Sequence, residues 1–331
     1  MEASKDNTSN IANRYTIISK LGSGLSSKVF KVFDEKTQES KVAKIYEDNA
    51  SLIFQKETKI FKALSELNIP TNIKFYESSF GDIILDGHTT KKNYIILEYG
   101  SKGCLFDSLI NTKSGFTEDV CKYILLNILN CVNALHKESI CHRDLKLENI
   151  VFVGDNYDIK LIDFGFAAKF INKENKKIKL KKSVGTQYYC APEIIEGIPY
   201  DGTKADIFSI GAILFVLMTK NFGFVEAKAN NITLNVKSIL YKLIKNKEYD
   251  RYWELLEKYF KIKNLSPNFK KLYLKMVAYN PEERPTIEEI KKDEFMADII
   301  NESEEYINLL REKMINQIES SNLYIYIKKN N

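Results

Sequence analysis

The segment from Leu21 to Val29 carries two glycines among serines, in the order Leu-Gly-Ser-Gly-Leu-Ser-Ser-Lys-Val. Glycine has no Cβ, so the backbone N–H groups around Gly22 and Gly24 could approach a polyphosphate closely. The same residues also suit an ordinary hairpin turn, and the segment by itself leaves both interpretations open. It is neither a Walker A loop, which needs Gly-Lys-Ser/Thr, nor a dinucleotide-binding turn, which a helix must follow.

Lys44 and Glu57 could form an ion pair that holds the lysine ammonium against such phosphates. Lys44 lies between Ala43 and Ile45 in a predicted strand, and Glu57 lies on the predicted helix that follows. Each residue has a plainer interpretation, because a strand lysine often reaches solvent along its apolar stem and a helix glutamate is often exposed. The pair is therefore a first indication of phosphate binding, to be weighed with other motifs.

Three further motifs follow along the chain. Residues His142–Asn149 have the sequence His-Arg-Asp-Leu-Lys-Leu-Glu-Asn, Asp163–Gly165 is Asp-Phe-Gly, and Ala191–Glu193 is Ala-Pro-Glu. In this order and at this spacing they resemble the signature of eukaryotic protein kinases of the serine/threonine type. The resemblance covers residues from about Arg14 to Phe295. Within the superfamily, the sequence is most similar to the calcium/calmodulin-dependent group.

The resemblance implies an α+β, bilobal protein kinase fold that transfers the γ-phosphoryl group of Mg-ATP to a protein serine or threonine hydroxyl. It implies an N-lobe at 14–99, with an antiparallel sheet and one helix, and a mostly helical C-lobe at 100–295. A flexible N-terminus at 1–13 and a helical tail at 296–331 would flank them. The implied cofactors are ATP and Mg²⁺, in a cleft expected between the lobes.

The resemblance also gives roles to individual residues. Asp144 would orient the acceptor hydroxyl and take its proton, and Lys146 would stabilise charge on the γ-phosphate. Asn149, the third catalytic residue, and Asp163 would hold Mg²⁺, which prefers hard oxygen ligands. Lys44 would contact the α- and β-phosphates.

A further set of residues would complete the nucleotide site by the same resemblance, with Glu57 as the anchor of the lysine. These residues are Gly22, Ser23 and Gly24 of the loop, Leu21, Val29 and Val42 over the adenine, Leu97 at the gatekeeper position, and Glu98 and Gly100 at the hinge. Supporting roles would fall to an apolar spine of Phe61, His142 and Phe164, to Asp206 at the base of that spine, and to a buried Glu193–Arg284 ion pair.

Arg143 precedes the catalytic aspartate, as in kinases whose activation segment is ordered by a phosphate. We expect Ser183 to be the acceptor for an upstream kinase, because its phosphate could pair with Arg143 and order the segment. The alternative is that Ser183 is an ordinary loop serine, and the sequence leaves both open.

Two rival classes compete with a protein kinase. A pseudokinase scaffold usually lacks the lysine, the catalytic aspartate or the Asp-Phe-Gly motif, and this chain has all of them. A small-molecule kinase of the same fold is disfavoured by the complete Ala-Pro-Glu motif and by Gly185-Thr186, which resemble a peptide platform.

The elements that must position these residues follow from the hydrophobic pattern. Runs of β-branched and aromatic residues predict strands at 15–18, 29–33, 42–46, 73–77 and 94–99, with a polar loop around 86–93. Phe54, Glu57, Phe61 and Leu64 share one helical face, and this stripe predicts a helix. After Gly100 the helical period prevails, and the apolar run Ile207–Met218 predicts a core helix.

Composition limits the remaining classes. The 331 residues include 44% hydrophobic and 12% aromatic residues, which excludes a disordered chain, and a net charge of +5 makes nucleic acid an improbable partner. Five cysteines without a CxxC pair indicate neither a disulfide framework nor a zinc site. No leader is indicated and the longest apolar run is too short for a membrane span, so we expect a cytoplasmic protein, with the nucleus as a second intracellular site.

The predicted tail contains no DxDxDG loop, so no built-in EF-hand calcium site is expected. Its residues 297–321 include six acidic and two basic side chains, whereas calmodulin targets are usually basic. Ile307, Leu310, Met314 and Ile318 form a helical stripe that we expect to pack on the kinase domain, with pseudosubstrate inhibition as the alternative.

Overall fold

The computed structural model describes residues 9–66, 72–112, 115–224, 227–229, 232–234, 236–262, 264–300 and 302–330. The chain divides into two compact units, one made of residues 1–101 and 163–165 and the other of 102–162 and 166–331. The Asp-Phe-Gly motif at 163–165, predicted within the C-lobe, thus groups with the first unit.

The first unit is a closed antiparallel sheet with one helix. Its strands, in the order β1-β2-β3-β4-β6-β5, are β1 (Asn10–Ile11), β2 (Tyr15–Ser23), β3 (Ser27–Asp34), β4 (Glu39–Tyr46), β5 (Phe75–Leu85) and β6 (His88–Glu98). Helix α1 (Ser51–Glu66) follows a 3₁₀ turn at Asp48–Ala50. Alternate strand residues such as Phe30, Val32, Ala43 and Ile45 fill the inside of the barrel.

Two sequence predictions are wrong in this unit. Asn10–Ile11, within the segment predicted to be flexible, pairs with both β2 and β5, and Ile11 is fully buried; residues 1–8 lie outside the described part. The polar loop predicted at 86–93 is instead a tight turn at Asp86-Gly87 followed by β6. Both turn residues have positive φ, 50° and 80°, which is the geometry that favours an Asp-Gly hairpin.

The side chain of Asp34 is buried at the end of β3 and is surrounded by donors. Arg14 donates through Nε and Nη2 at 2.9 Å, and Lys41 Nζ donates at 2.6 Å. The Lys36 backbone N–H and the Thr37 hydroxyl also donate to it. Burial alone would raise the pKa of Asp34, but the bonds from Arg14 and Lys41 outweigh it and lower that pKa well below its usual range.

We expect Asp34→Asn to reduce the free energy of unfolding at pH 7 by about 1.5–3 kcal/mol, because charged hydrogen bonds are lost. A lowered folded-state pKa gives stability that is complete above the unfolded-state value of about 4 and is lost as pH falls further. Urea unfolding of both proteins from pH 7 to pH 3 measures this. A difference that does not shrink below about pH 4 contradicts the assignment.

The second unit is mostly helical. Its helices are α2 (Leu105–Asn111), α3 (Glu118–Lys137), α4 (Pro192–Ile195), α5 (Gly202–Thr219), α6 (Val236–Lys245), α7 (Tyr249–Phe260), α8 (Pro267–Met276), α9 (Ile287–Lys291), α10 (Ala297–Ile300) and α11 (Glu304–Asn330). Its short strands pair as β7 (Ile140–Cys141) with β10 (Ala168–Lys169), β8 (Ile150–Val153) with β9 (Asp158–Leu161), and β11 (Ala227–Ala229) with β12 (Ile232–Leu234). Single 3₁₀ turns lie at Leu147–Asn149, Pro281–Glu283 and Glu294–Met296.

Helix α5 is the predicted core helix. By length and composition it could cross a membrane, but 78% of its residues are buried inside the protein. Phe215 on this helix contacts Tyr273 with ring centroids 4.9 Å apart, and the Tyr252 and Tyr273 hydroxyls share a 2.6 Å hydrogen bond. The prediction of a core helix at 207–218 is therefore confirmed.

Helix α11 packs on the second unit through the predicted apolar stripe. Leu310, Met314 and Ile318 are buried, whereas Ile307 is partly exposed. Polar contacts flank the stripe: Arg311 Nε donates to the Tyr123 hydroxyl at 3.0 Å, and the Gln317 amide exchanges hydrogen bonds with Thr117. The prediction that this stripe packs on the preceding domain is confirmed, because it is buried against the second unit.

We expect Met314→Ala to lower the free energy of unfolding by about 2–3 kcal/mol, because it leaves a cavity under α11 that the docked helix can only partly close. Leu309→Ala on the same helix is the matched control, since Leu309 is 45% exposed. Chemical denaturation of both variants compares them, and equal losses would contradict the packing described here.

Candidate active site

The Lys44–Glu57 ion pair predicted from the sequence is present in the first unit. Lys44 Nζ, on β4, donates to Glu57 Oε1 at 2.8 Å and to Oε2 at 2.9 Å. Glu57, on α1, is fully buried, so its charge requires this partner. The plainer interpretations, an exposed strand lysine and an exposed helix glutamate, do not describe these residues.

Lys44 also contacts the Asp-Phe-Gly aspartate. Its third N–H donates to Asp163 Oδ1 at 2.9 Å, and the Gly165 N–H donates to the same oxygen at 3.3 Å. Burial would lower the pKa of Lys44, but the charges of Glu57 and Asp163 outweigh burial and raise it above its usual value. The lysine is therefore a permanent cation, suited to neutralise phosphate charge.

The residues predicted to cover adenine share one face of the sheet. Val29 is the register partner of Lys44, and Val42 is the partner of Leu97. Because successive strand residues alternate between faces, these four residues lie on the face opposite the barrel core. Leu21 is half exposed at a bulge in β2.

The two residues predicted for the hinge lie at the end of β6. Glu98 pairs with Lys41 of β4, and its backbone N–H donates to the Lys74 carbonyl at 2.9 Å. Gly100 follows two residues later, outside regular secondary structure. The structure thus places Glu98 in the sheet and Gly100 directly after it.

The predicted phosphate loop is the β2–β3 turn, and neither glycine in it is required by the protein itself. Neither Gly22 nor Gly24 has a positive φ, and a Cβ added at either would meet no atom within 4 Å. Ser23 is exposed between them, and the Gly24 N–H donates to the Ser27 carbonyl at 2.9 Å. Neither the backbone conformation nor the packing of the protein itself therefore requires glycine at these two positions.

Behind this site, aromatic rings link the Asp-Phe-Gly motif to α1. Phe61 and Phe164 meet edge to face with centroids 5.2 Å apart, and Phe61 stacks on Phe75 at 5.8 Å. Such pairs hold the motif by packing as well as by the Lys44–Asp163 contact. His142, the third predicted member of the spine, lies in the second unit and is described there.

In the second unit, Asp206 of the core helix anchors the predicted catalytic loop. Its carboxylate accepts the His142 backbone N–H at 2.9 Å and the Arg143 backbone N–H at 2.8 Å, and it contacts His136 Nε2 at 2.8 Å. These bonds hold Arg143 at φ 66°, a conformation that non-glycine residues seldom adopt. The Asp144 N–H then donates to His142 Nδ1 at 3.3 Å.

The structure brings together the three residues predicted to be catalytic. Lys146 Nζ lies 3.1 Å from Asp144 Oδ2, and the Asn149 amide donates to the same oxygen at 3.2 Å. Thr186 Oγ1 donates to Asp144 Oδ1 at 2.7 Å and accepts from Lys146 at 3.0 Å. Thr186, 40 residues after the lysine, thus joins the segment before the Ala-Pro-Glu motif to the His142–Asn149 segment.

The buried Glu193–Arg284 ion pair predicted from the sequence is also present. The Arg284 guanidinium donates two hydrogen bonds to the Glu193 carboxylate, at 2.6 and 2.7 Å, and both side chains are buried. Arg284 Nε also donates to the Ala278 carbonyl at 2.9 Å. The pair ties the Ala-Pro-Glu motif to the segment before α9.

Arg143 already has neutral partners in this structure. Its Nε donates to the Phe166 carbonyl at 2.7 Å, and Nη1 donates to the Tyr200 hydroxyl at 3.0 Å. Tyr200 in turn donates to the Lys182 carbonyl, next to the exposed Ser183. Phosphorylation of Ser183 stays a prediction.

Comparison with known proteins agrees with this geometry. The family model described as "Protein kinase domain" matches residues 15–296. The chain belongs to the protein kinase family. Its fold is the protein kinase fold, with an antiparallel sheet and one helix in the first unit and mostly helices in the second.

Curated relatives of this kinase domain include three that are named as kinases. Calcium-dependent protein kinase 5 of Plasmodium berghei is 30% identical over 313 residues, which is 94% of this chain and 50% of the relative. The SNF-related serine/threonine-protein kinase of Homo sapiens is 33% identical over 239 residues, 72% of this chain and 27% of the relative. Serine/threonine-protein kinase kin-29 of Caenorhabditis elegans is 34% identical over 250 residues, 75% and 26% respectively. The chain thus spans half or less of the length of these relatives.

Two residues of the kinase domain escaped the sequence analysis. Tyr46 donates to Glu57 Oε2 at 2.6 Å, and His136 contacts Asp206. Tyr46 could have been found from its spacing, because a residue two after Lys44 on a strand lies on the same face. His136 offered no such signal, since its contact joins α3 to α5.

Proposed function

We propose that this chain is a serine/threonine protein kinase that transfers the γ-phosphoryl group of Mg-ATP to a hydroxyl of a protein. The observation that carries the proposal is the hydrogen-bonded arrangement of Asp144, Lys146 and Thr186. It combines a carboxylate base, a cation and a residue of the activation segment. A carboxylate and a cation held side by side are the groups that phosphoryl transfer to a hydroxyl requires.

In phosphoryl transfer the protein mainly positions the reactants and neutralises their charge. Asp144 would accept a hydrogen bond from the substrate hydroxyl and take its proton as the new P–O bond forms. Lys146 would stabilise the charge that spreads over the transferring phosphoryl oxygens. Thr186 would keep both side chains in their present relation, because it bonds to each of them.

ATP and Mg²⁺ are proposed as cofactors, and the side chains present fit them. Lys44 supplies a cation for the phosphates, and the two loop glycines leave backbone N–H groups accessible. Asp163 has a carboxylate that is 45% exposed, and the Asn149 amide nitrogen donates to Asp144; carboxylate and amide oxygens are ligands that a hard cation prefers. When bound, Mg²⁺ would neutralise phosphate charge.

Serine or threonine, rather than tyrosine, is the proposed acceptor. Lys146 in the catalytic loop, bonded to Thr186 of the activation segment, resembles the serine/threonine type of kinase. Relatives named serine/threonine-protein kinase, at 33% and 34% identity, support the same class. Within that class, similarity to a calcium-dependent protein kinase supports the calcium/calmodulin-dependent group.

The test is transfer to a peptide pool containing serine, threonine and tyrosine acceptors, with and without Mg²⁺. The purified chain and Asp144→Ala are incubated with ATP, and the phosphorylated residues are identified by mass spectrometry. Mg²⁺-dependent phosphate on serine or threonine, absent with the variant, supports the proposal. Nucleotide binding without transfer by either protein would favour a pseudokinase, and equal transfer by both would indicate a contaminating kinase.

A further inference from the structure

Tyr46 lies beneath the Lys44–Glu57 pair and is itself fully enclosed. Its hydroxyl donates to Glu57 Oε2 at 2.6 Å, and only 1% of the residue is exposed. Its ring meets Phe54 of α1 edge to face, with centroids 5.3 Å apart. Burial and the neighbouring Glu57 carboxylate both raise the pKa of Tyr46 far above its usual value, so the hydroxyl remains a donor.

Lys44 has no donor to spare in this arrangement. An ammonium group has three N–H bonds, and here two point to Glu57 and one to Asp163. Contact with the α- and β-phosphates of a nucleotide would require two of the three. The bond to Asp163 is the easier one to give up, because Asp163 is 45% exposed and can find water or a cation.

The second N–H that turns to the phosphates must be withdrawn from Glu57. Losing this hydrogen bond costs more free energy than losing the bond to Asp163. Glu57 is fully buried, so an oxygen that loses its donor cannot be solvated by water and is left unsatisfied. Both oxygens of Glu57 accept a hydrogen bond from Lys44, and Oε2 accepts a further one from the Tyr46 hydroxyl. Lys44 can therefore release Oε2, keep Oε1, and leave both carboxylate oxygens with a donor.

We propose that Tyr46 is a positioning residue for phosphate binding: its hydroxyl holds Glu57 so that Lys44 can turn two N–H bonds to the nucleotide. The inference rests on the proposed function in that Lys44 is taken to bind the α- and β-phosphates. It predicts that loss of the hydroxyl weakens binding of the phosphates and leaves binding of the nucleoside unchanged.

The test compares Mg-ATP and adenosine binding by the full chain and by Tyr46→Phe, which keeps the ring and its contact with Phe54. We expect the variant to bind Mg-ATP about tenfold more weakly, as for loss of one hydrogen bond to a charged group, and adenosine equally well. In a Glu57→Gln background the same substitution should have little further effect, because the buried charge is gone.

Tyr252→Phe is the matched control, because Tyr252 is a fully buried tyrosine whose hydroxyl bonds to Tyr273 in the second unit. It should leave the ratio of the two affinities unchanged. If Tyr46→Phe leaves the ratio of the Mg-ATP and adenosine affinities unchanged, including by weakening both equally, the proposed role of Tyr46 is wrong. The proposed kinase function would not be affected by that result. A wild-type chain that binds Mg-ATP no better than adenosine overturns phosphate binding by Lys44, and with it the proposed function.

Discussion

Replacing Asp144 by asparagine is expected to lower kcat for peptide phosphorylation by about 10²- to 10⁴-fold, the range found when a general base is removed. Asparagine has the shape of aspartate, and its oxygen can still accept from Thr186 or from Asn149. What it lacks is a carboxylate that can take the proton of the acceptor hydroxyl. Steady-state kinetics with a serine peptide measure the loss.

The matched control is Asp155→Asn, since Asp155 is fully exposed and its carboxylate forms an ion pair with Lys102 at 3.3 Å. It should leave kcat unchanged. Mg-ATP affinity should be the same in wild type and Asp144→Asn, because Asp144 is proposed to act on the acceptor. A kcat within threefold of wild type in Asp144→Asn would remove this residue from the chemistry.

The second large effect is on stability. Arg284→Met is expected to reduce the free energy of unfolding by about 3–5 kcal/mol, because it leaves the Glu193 carboxylate charged, buried and without its cation. The loss also removes donors to the Ala278 and Lys204 carbonyls. Denaturant titration, followed by the intrinsic fluorescence of Trp253 in the second unit, reports the change.

Lys247→Met is the control for that measurement. Its partner Glu283 precedes Arg284 in the chain, but this pair is exposed, with 60% and 42% of the side chains accessible. Exposed pairs contribute about 0–1 kcal/mol because solvent screens them. If Arg284→Met cost no more than Lys247→Met, the buried pair would not be a stabilising link in this unit.

Much of the site could be predicted because short motifs fix the identity of its residues. Asp144, Lys146 and Asn149 lie in one short segment of the sequence, so few folded arrangements can place them far apart. The Lys44–Glu57 pair required only one strand and the helix that follows it. In both cases local sequence determines most of the geometry.

Other features depended on contacts that the local pattern does not specify. The pairing of Asn10–Ile11 with β5 joins residues more than 70 positions apart, so its strand character comes from closing the sheet. The β5–β6 hairpin was missed because its polar outer residues resemble a loop, although Asp86-Gly87 carried the turn signal. The spacing of Tyr46 from Lys44 places both on one face of β4, but the hydrogen bond from its hydroxyl to Glu57 also depends on how α1 packs on that strand.

Isotopic labelling of ATP shows directly whether this chain transfers a phosphoryl group and which one. The chain is incubated with Mg²⁺, a serine peptide and ATP labelled on either the α- or the γ-phosphate. We expect only the γ label to reach the serine, and we expect Asp144→Asn to stop this transfer. A wild-type chain that binds Mg-ATP yet leaves the peptide unlabelled, at every Mg²⁺ concentration and with every serine or threonine acceptor in the pool, would contradict phosphoryl transfer by this protein.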